Sequence, residues 1–386
     1  MCGIAGACQL DGGRTDARFL RDMIAMVRHR GPDAVGTYVE QAVGLAHARL
    51  SIIDLENGSQ PMQNGDESLA ITFNGEIFNY IELRDTLKAR GHGFRTQSDT
   101  EVILHAYEEY GEECVHHFNG QWAFAIWDRH REKLFLSRDR FGIRPLYYTQ
   151  SGSRFLFASE VKSLFVDPSV HRDLDPQGLS QLFTFWATIA PATVFRNVAE
   201  LPPGHNLTVH NGQVRVCRYW NIRYDEPPVE VSSSQWADEL RELLLDATRL
   251  RLRADVPVGA YLSGGLDSSV TAALAKRIIE GRLRTFSVTF DDEEYDESSY
   301  QRQLVDALGV DHQSVHCRQA DIARVFPEVV WHAEKPMLRT APAPLFLLSR
   351  QVHAAGFKVV LTGEGADEML GGYDIFKEAK VRRFCA

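Results

Sequence analysis

A chain of 386 residues, 44% hydrophobic and 24% charged, has the length of about two globular domains. A formal net charge of −10 argues against a nucleic-acid backbone or an anionic membrane surface as the main partner. The first thirty residues lack an apolar signal core, and no stretch approaches the roughly 20 apolar residues that span a bilayer. The six cysteines include no close pair, so a cytoplasmic protein with reduced thiols is expected.

The chain opens Met1-Cys2-Gly3-Ile4-Ala5-Gly6. Removal of Met1 would leave Cys2 with both a thiol and a free α-amine. The amine has a reference pKa of roughly 7.7–8.0 and the thiol about 8.5, so the amine can take the thiol proton near neutral pH. Period-two apolar patterns then predict strands at Leu69–Phe73, Trp122–Trp127, Lys133–Leu136 and Arg154–Ala158. Between them Val102, Ile103, Ala106 and Tyr107 recur at helical spacing behind Ser98-Asp99, either of which can cap. Asn74-Gly75 reads locally as a hairpin turn.

Two prolines, three serines and three acidic residues mark Asp225–Ser234 as a linker. Beyond it, helices alternate with apolar strands. Trp236, Leu240, Leu243, Leu244 and Ala247 make a helical stripe behind a serine cap. Strands are expected at Val256–Leu262, Thr285–Phe290 and Phe357–Leu361, with a helix from Ser268 to Ile279. This alternation predicts a mostly parallel sheet with helices on both faces.

Ser263-Gly264-Gly265-Leu266-Asp267-Ser268-Ser269 stands between a strand and a helix. Paired glycines, a helix N-terminus and serine hydroxyls suit an anion. Asp267 would repel a bare phosphate, which implies a bridging magnesium ion. The lysine of a Walker loop is absent. A second loop, Thr362-Gly363-Glu364-Gly365-Ala366-Asp367-Glu368, follows another apolar strand, and loops at strand carboxyl ends converge on one crevice.

In combination these motifs resemble the glutamine-hydrolysing asparagine synthetases. The Met-Cys-Gly-Ile start is similar to that of class II glutamine amidotransferases, and the Ser-Gly-Gly-Leu-Asp-Ser-Ser loop to that of ATP pyrophosphatases. Arg28–Asp33 resembles the family's turn beside the nucleophile, and Arg49–Asp54 its glutamine-side strand. Asn74–Asn79 and Ser98–Glu101 complete the likeness. The resemblance implies an N-terminal αββα sandwich of the N-terminal-nucleophile type over residues 2–220, a linker at 221–234, and an ATP-pyrophosphatase domain of the adenine nucleotide α-hydrolase type over 235–386.

It also implies roles. Cys2 would attack the glutamine amide, with Asn74 and the Gly75 amide as oxyanion hole. Arg49 would pair with the substrate α-carboxylate, Glu76 and Asp99 would hold its ammonium group, and Leu50 and Ile53 would complete the glutamine pocket. ATP would lie against Leu262, Ser263, Gly264, Gly265, Asp267, Ser268, Ser269, Val288, Thr362 and Gly363. Asp267 and Asp367 would bind Mg2+, and Glu364 would support formation of an acyl-adenylate. Ammonia would reach that adenylate through an internal passage and displace AMP. The expected substrates are glutamine, ATP and aspartate, with room for a homodimer and with neither nucleic acid nor membrane as partner.

Two departures from the family pattern stand out. His332–Thr340 differs where the acceptor is expected, which admits a different carboxylate on a polymer or a secondary metabolite. Family members continue past the position of Ala386 through a further helical region, so the second domain is expected to be incomplete, and a remnant confined to glutaminase or binding activity is the third reading.

Overall fold

Strand alternation organises the first half of the molecule. The computed structural model describes residues 1–223 and 231–385. Half of the expected linker 221–234, residues 224–230, lies outside them. The chain divides into two units, Met1–Pro228 with Val330–Leu338, and Val229–Val329 with Arg339–Ala386.

In the first unit the order is β1 (Gly3–Gln9), α1 (Ala17–Ala25), β2 (Ala34–Glu40), β3 (Val43–Arg49), β4 (Met62–Gln63), β5 (Leu69–Ile77), α2 (Tyr80–Ala89) and α3 (Asp99–Tyr110). There follow β6 (Gly120–Asp128), β7 (Lys133–Arg138), β8 (Tyr147–Ser151), β9 (Arg154–Ala158), α4 (Val161–Leu164), α5 (Pro176–Phe185), β10 (Ala199–Glu200), β11 (His205–His210) and β12 (Gln213–Arg218). They form two antiparallel sheets, β10-β8-β9-β1-β3-β2 and β12-β11-β7-β6-β5-β4. Ile4, Val43, Leu45, Ala70, Ala123 and Leu136 fill the space between the sheets. Ala5, Ala46 and Ala48 turn the other way, onto Leu20 and Met23 of α1. On the far side of the second sheet Ile71, Phe73 and Trp122 pack with Val102 and Tyr107 of α3. The result is the expected four-layer αββα sandwich.

Asn74 and Gly75 are not a turn. They lie inside β5, paired with Ala123 and Trp122 of β6. Sheet pairing overrides the local turn preference of an Asn-Gly pair. The strand expected to run past Arg49 ends there, and residues 50–53 are loop. Ser98 caps α3 by accepting the Thr100 amide, while Asp99 is the helix's first residue.

The second unit contains α6 (Ser233–Arg251), β13 (Val258–Tyr261), α7 (Leu266–Ile278), β14 (Arg284–Phe290), α8 (Ser298–Leu308), β15 (Asp311–Cys317), α9 (Gln319–Ala333), α10 (Pro342–Ala354), β16 (Val359–Leu361), α11 (Ala366–Leu370) and α12 (Asp374–Cys385). The last residues of α9 count with the first unit. The sheet is parallel throughout, in the order β15-β14-β13-β16. Its order reverses between β13 and β16, so the loops after these two strands meet at the switch point where ligands bind in such sheets. Helix α7 begins at Leu266, two residues before the expected Ser268, with Gly265 at its N-cap.

Candidate active site

Alternation places the first group of side chains. In β3 Val43 and Leu45 face the second sheet, so His47 and Arg49 do as well. In β5 Ala70 faces inward and the Thr72 hydroxyl donates to the Ala46 carbonyl of the opposite sheet at 3.1 Å; Asn74 and Glu76 continue that inward row. Gly3 pairs with Ala48, which sets Cys2 next to the end of β3. Cys2, Arg49, Asn74 and Glu76 thus gather at one mouth between the sheets.

The Cys2 sulfur accepts the Leu50 amide at 3.3 Å and lies 3.6 Å from the Leu50 carbonyl. Leu50 therefore serves through its backbone. Burial pushes the Cys2 thiol up, with the Leu50 amide pulling the other way. The Met1 side chain is half exposed, yet its amine is enclosed, and burial brings it down to about 5. Arg30 donates from Nε to the Cys2 carbonyl at 2.9 Å and from Nη1 to Glu160 at 2.8 Å. Burial opposes the Glu160 charge, but His29, Arg30 and Lys162 outweigh it and hold the carboxyl well below its usual range.

Asn74 is buried, and neither its side-chain oxygen nor its nitrogen has a hydrogen-bond partner among the described residues. Such orphaned groups are rare and mark places where a ligand is expected. At Gly75 a Cβ would stand 2.1 Å from the Gln121 carbonyl, so only glycine lets β5 lie this close to β6 here; the amides on either side of it in the same row, Phe73 and Ile77, point away from β6 to Gln60 and Asp99. Asp99 accepts the Ile77 amide at 3.0 Å; burial raises its carboxyl to about 6. Arg49 is committed more than expected, donating to the carbonyls of Ile53, Leu55 and Asp54 at 3.3, 3.1 and 2.5 Å. Ile53 thus reaches this site as a buried side chain and through its carbonyl.

Sequence reasoning missed Arg144. Its charge faces Cys2, Glu76, Asp139 and Arg30, and its buried Nε has no partner among the described residues. Asp139 builds the turn that carries it, accepting the amides of Phe141, Ile143 and Arg144, each at 3.0 Å. Polar Asp139-Arg140 directly after an apolar strand was the available signal.

In the second unit a cavity of about 1240 Å³ opens at the switch point. Leu262, Ser263, Gly265, Asp267, Ser268 and Val288 line it from one side of the chain. Thr362, Gly363, Glu364 and Asp367 line it from the second loop. Gly264 and Ser269 do not, against expectation: Ser269 turns its hydroxyl back to the Gly265 carbonyl at 2.5 Å, as an α-helix's first turn allows. A Cβ on Gly363 would meet Asp267 Cβ at 2.9 Å, so glycine lets the two loops touch. Gln301, another missed residue, donates to the carbonyls of Ser263 and Val288 at 3.2 and 3.0 Å and joins those two walls.

The segment 332–340 departs from its expected place. Val330–Leu338 belongs to the first unit, where Glu334 accepts the amides of Val161 and Lys162, each at 2.6 Å. Within the stretch, Thr340 lines the cavity. Cys2, Cys8, Cys114, Cys217 and Cys317 are free thiols, and no described helix is long and apolar enough to cross a membrane.

An αββα sandwich followed by a parallel sheet with a loop-walled cavity is the fold of a glutamine amidotransferase domain joined to an ATP-pyrophosphatase-like domain. Residues 1–220 match the glutamine amidotransferase domain family and residues 239–386 match asparagine synthase. The chain is 37% identical over 98% of its length to "Asparagine synthetase [glutamine-hydrolyzing] 1" of Bacillus subtilis, covering 60% of that protein. It is 36% identical over 99% of its length to "Asparagine synthetase [glutamine-hydrolyzing] 3" of the same organism, covering 64%. Identity is also 36% over 93% of the chain to "Amidase chyE" of Penicillium rubens, of which it covers 55%. It therefore spans somewhat over half the length of these relatives. The chain belongs to the glutamine-hydrolysing asparagine synthetase family.

Proposed function

We propose that the protein hydrolyses glutamine at Cys2 and uses the ammonia to amidate an ATP-activated carboxylate, aspartate being the first choice. The observation that carries this reading is the unpartnered, buried Asn74 amide on the same inward-facing mouth as Cys2.

With Met1 removed, the Cys2 amine takes the thiol proton and the sulfur attacks the glutamine side-chain amide. The Asn74 side chain and the Gly75 amide receive the negative charge that develops on oxygen, a role worth roughly 10²–10³ in rate for one donor. The leaving amide nitrogen takes a proton and departs as ammonia, and water then releases glutamate from the thioester. Asp99 and Glu76 hold the substrate ammonium. Arg49 keeps Nε and one Nη1 hydrogen for the α-carboxylate, a partial fork rather than a free one.

In the second unit the acceptor carboxylate attacks the α-phosphorus of ATP, pyrophosphate leaves, and ammonia displaces AMP. Ser263, Gly265 and Ser268 cradle phosphate oxygens, and Leu262 and Val288 flank the base. Mg2+ commonly takes one or two carboxylates and completes its shell with phosphates and water. Asp267 and Asp367 on the cavity wall fit that demand. The ion would neutralise charge on the departing pyrophosphate. A reduced cytoplasmic setting suits the free thiols.

A second acceptor is favoured by one finding. Residues 332–338 do not line the cavity, and a relative of equal identity is named an amidase. Measuring glutamate and pyrophosphate separately across a panel of carboxylates decides the matter. Aspartate-dependent pyrophosphate release with asparagine formation supports the first reading, and release with another acid alone replaces it. Absence of glutamate formation would remove both.

A further inference from the structure

The turn between α2 and α3 carries His92 against the middle of α3, where His105, Glu108 and Glu109 stand. One oxygen of Glu108 lies 2.6 Å from His105 Nδ1 and 3.2 Å from His92 Nδ1. One donor from each of the three residues falls within 4.8 Å of the others. Behind each donor stands a polar group. His92 Nε2 is 3.1 Å from Glu109 Oε2, and His105 Nε2 is 3.8 Å from Glu101 Oε1. The other Glu108 oxygen accepts from Asn64 Nδ2 at 2.7 Å. Glu101 is itself held by the amides of Arg95 and Thr96 at 2.9 and 2.7 Å. Phe94 closes one side, edge-on to the His105 ring at 4.6 Å.

We propose that His92, His105 and Glu108 form a binding site for a borderline divalent cation, zinc first, that pins the α2–α3 turn to α3. Two imidazoles and one carboxylate are a zinc-type donor set, softer than calcium or magnesium sites use. Metal-bound histidines characteristically direct their second nitrogen to a carboxylate, which His92 does at 3.1 Å, while His105 turns its own toward Glu101 at 3.8 Å. Zinc–nitrogen and zinc–oxygen distances of about 2.0–2.2 Å place neighbouring donors roughly 3.3 Å apart. The 3.2 Å contact already matches that spacing. The 2.6 Å contact, a hydrogen bond without metal, opens by less than about an ångström. Glu101, Glu108 and Glu109 surround the site with negative charge, and water would fill the fourth position. The ion would brace the helix whose first residue is Asp99.

A second gathering in this unit, His29, Glu160 and His332, is a poorer cation site. Arg30 and Lys162 already occupy the Glu160 carboxylate and would repel an incoming ion.

The test uses the full chain, stripped with a chelator and titrated with zinc chloride by calorimetry. The expected result is one zinc per chain, and cobalt(II) at the same stoichiometry should give the visible absorption of a tetrahedral site. His92→Gln and His105→Gln should each weaken zinc binding at least roughly tenfold, and Glu109→Gln by less. His92 is partly exposed, so His92→Gln should fold, and its melting temperature should cease to rise with zinc. Cys2→Ala and His29→Gln should bind zinc like the unaltered chain. Absence of stoichiometric zinc, or its loss in Cys2→Ala or His29→Gln with retention in His92→Gln, overturns the proposal.

Discussion

The two units bury their apolar residues to different degrees. The first closes three cores, two of them around aromatic side chains such as Trp122, Phe124 and Phe155, all fully buried. The second rests on smaller clusters, one built largely of Ala260, Ala272, Ala275 and Leu361, the other of Phe286 with two residues of α10. Its helix α6 leaves Trp236, Leu240 and Leu243 exposed, and α12 leaves Ile375, Val381 and Phe384 exposed. A large apolar side chain contributes roughly 1.5–3 kcal/mol when fully buried, so these open faces forgo much stabilisation. Cys2 therefore sits on the edge of a filled core, whereas the cavity of the second unit is walled by loops over a thin one.

The sharpest test of this contrast is Cys2→Ala. It should lower glutamine hydrolysis by roughly 10³-fold or more, with nucleotide affinity of the second unit unchanged. A parallel loss of nucleotide binding in a folded variant would deny the two sites their independence. Next, Asn74→Ala should lower kcat for glutamate formation by roughly 10²–10³ with little change in KM. A pure KM effect would move Asn74 from oxyanion stabilisation to ground-state binding.

On the other side of the comparison, Asp267→Asn should weaken Mg2+–ATP binding at least roughly tenfold, about 1.4 kcal/mol. High magnesium should partly restore it, whereas Glu364→Gln should not respond to magnesium. Identical responses would refute the assigned roles.

A pH effect confined to the first unit is expected from Asp99. Burial raises its carboxyl to about 6, and in the proposed role it is the anion that holds the ammonium group of glutamine. KM for glutamine should therefore rise as pH falls below about 6, approaching tenfold per pH unit, and Asp99→Asn should lack that rise. The sign for stability is opposite. A folded-state value above the unfolded one makes Asp99's contribution to stability present at low pH and lost as pH rises through about 6. The smallest effect is in hydrogen exchange. Backbone amides of α6 and α12 should exchange well before those of β5 and β6, and equal protection would show the open faces to be covered in solution.

Much of this arrangement was legible in the sequence because it rests on periodicity and on short loops. The alternation in Leu69–Phe73 marked a strand, and Ser263–Ser269 stood between a strand and a helix, the setting an anion loop would need. Other features depend on tertiary pairing. Asn74-Gly75 carries a turn's local preference, and pairing with β6 keeps it extended. Arg144 reaches Cys2 through a turn shaped by Asp139, and Gln301 ties the Ser263 loop to strand β14 from a helix 13 residues beyond Val288. Glu334 lies far along the chain from Val161, whose amide it accepts, and no local pattern announces that contact. The same is true of His92 and His105, whose spacing fits no metal motif although the fold brings their rings within 5.1 Å.

The empty-handed amide of Asn74 has a consequence for how this protein can be improved. A buried polar group without a partner typically costs about 1–3 kcal/mol of folding stability. On the proposed reading Asn74 is kept for the oxyanion rather than for the fold, its amide having no partner among the described residues. Asn74→Leu, similar in size and apolar, should then melt higher than the unaltered chain while losing hydrolysis. Selection for thermal tolerance alone would drift toward such a variant, and only selection for turnover would hold the asparagine in place.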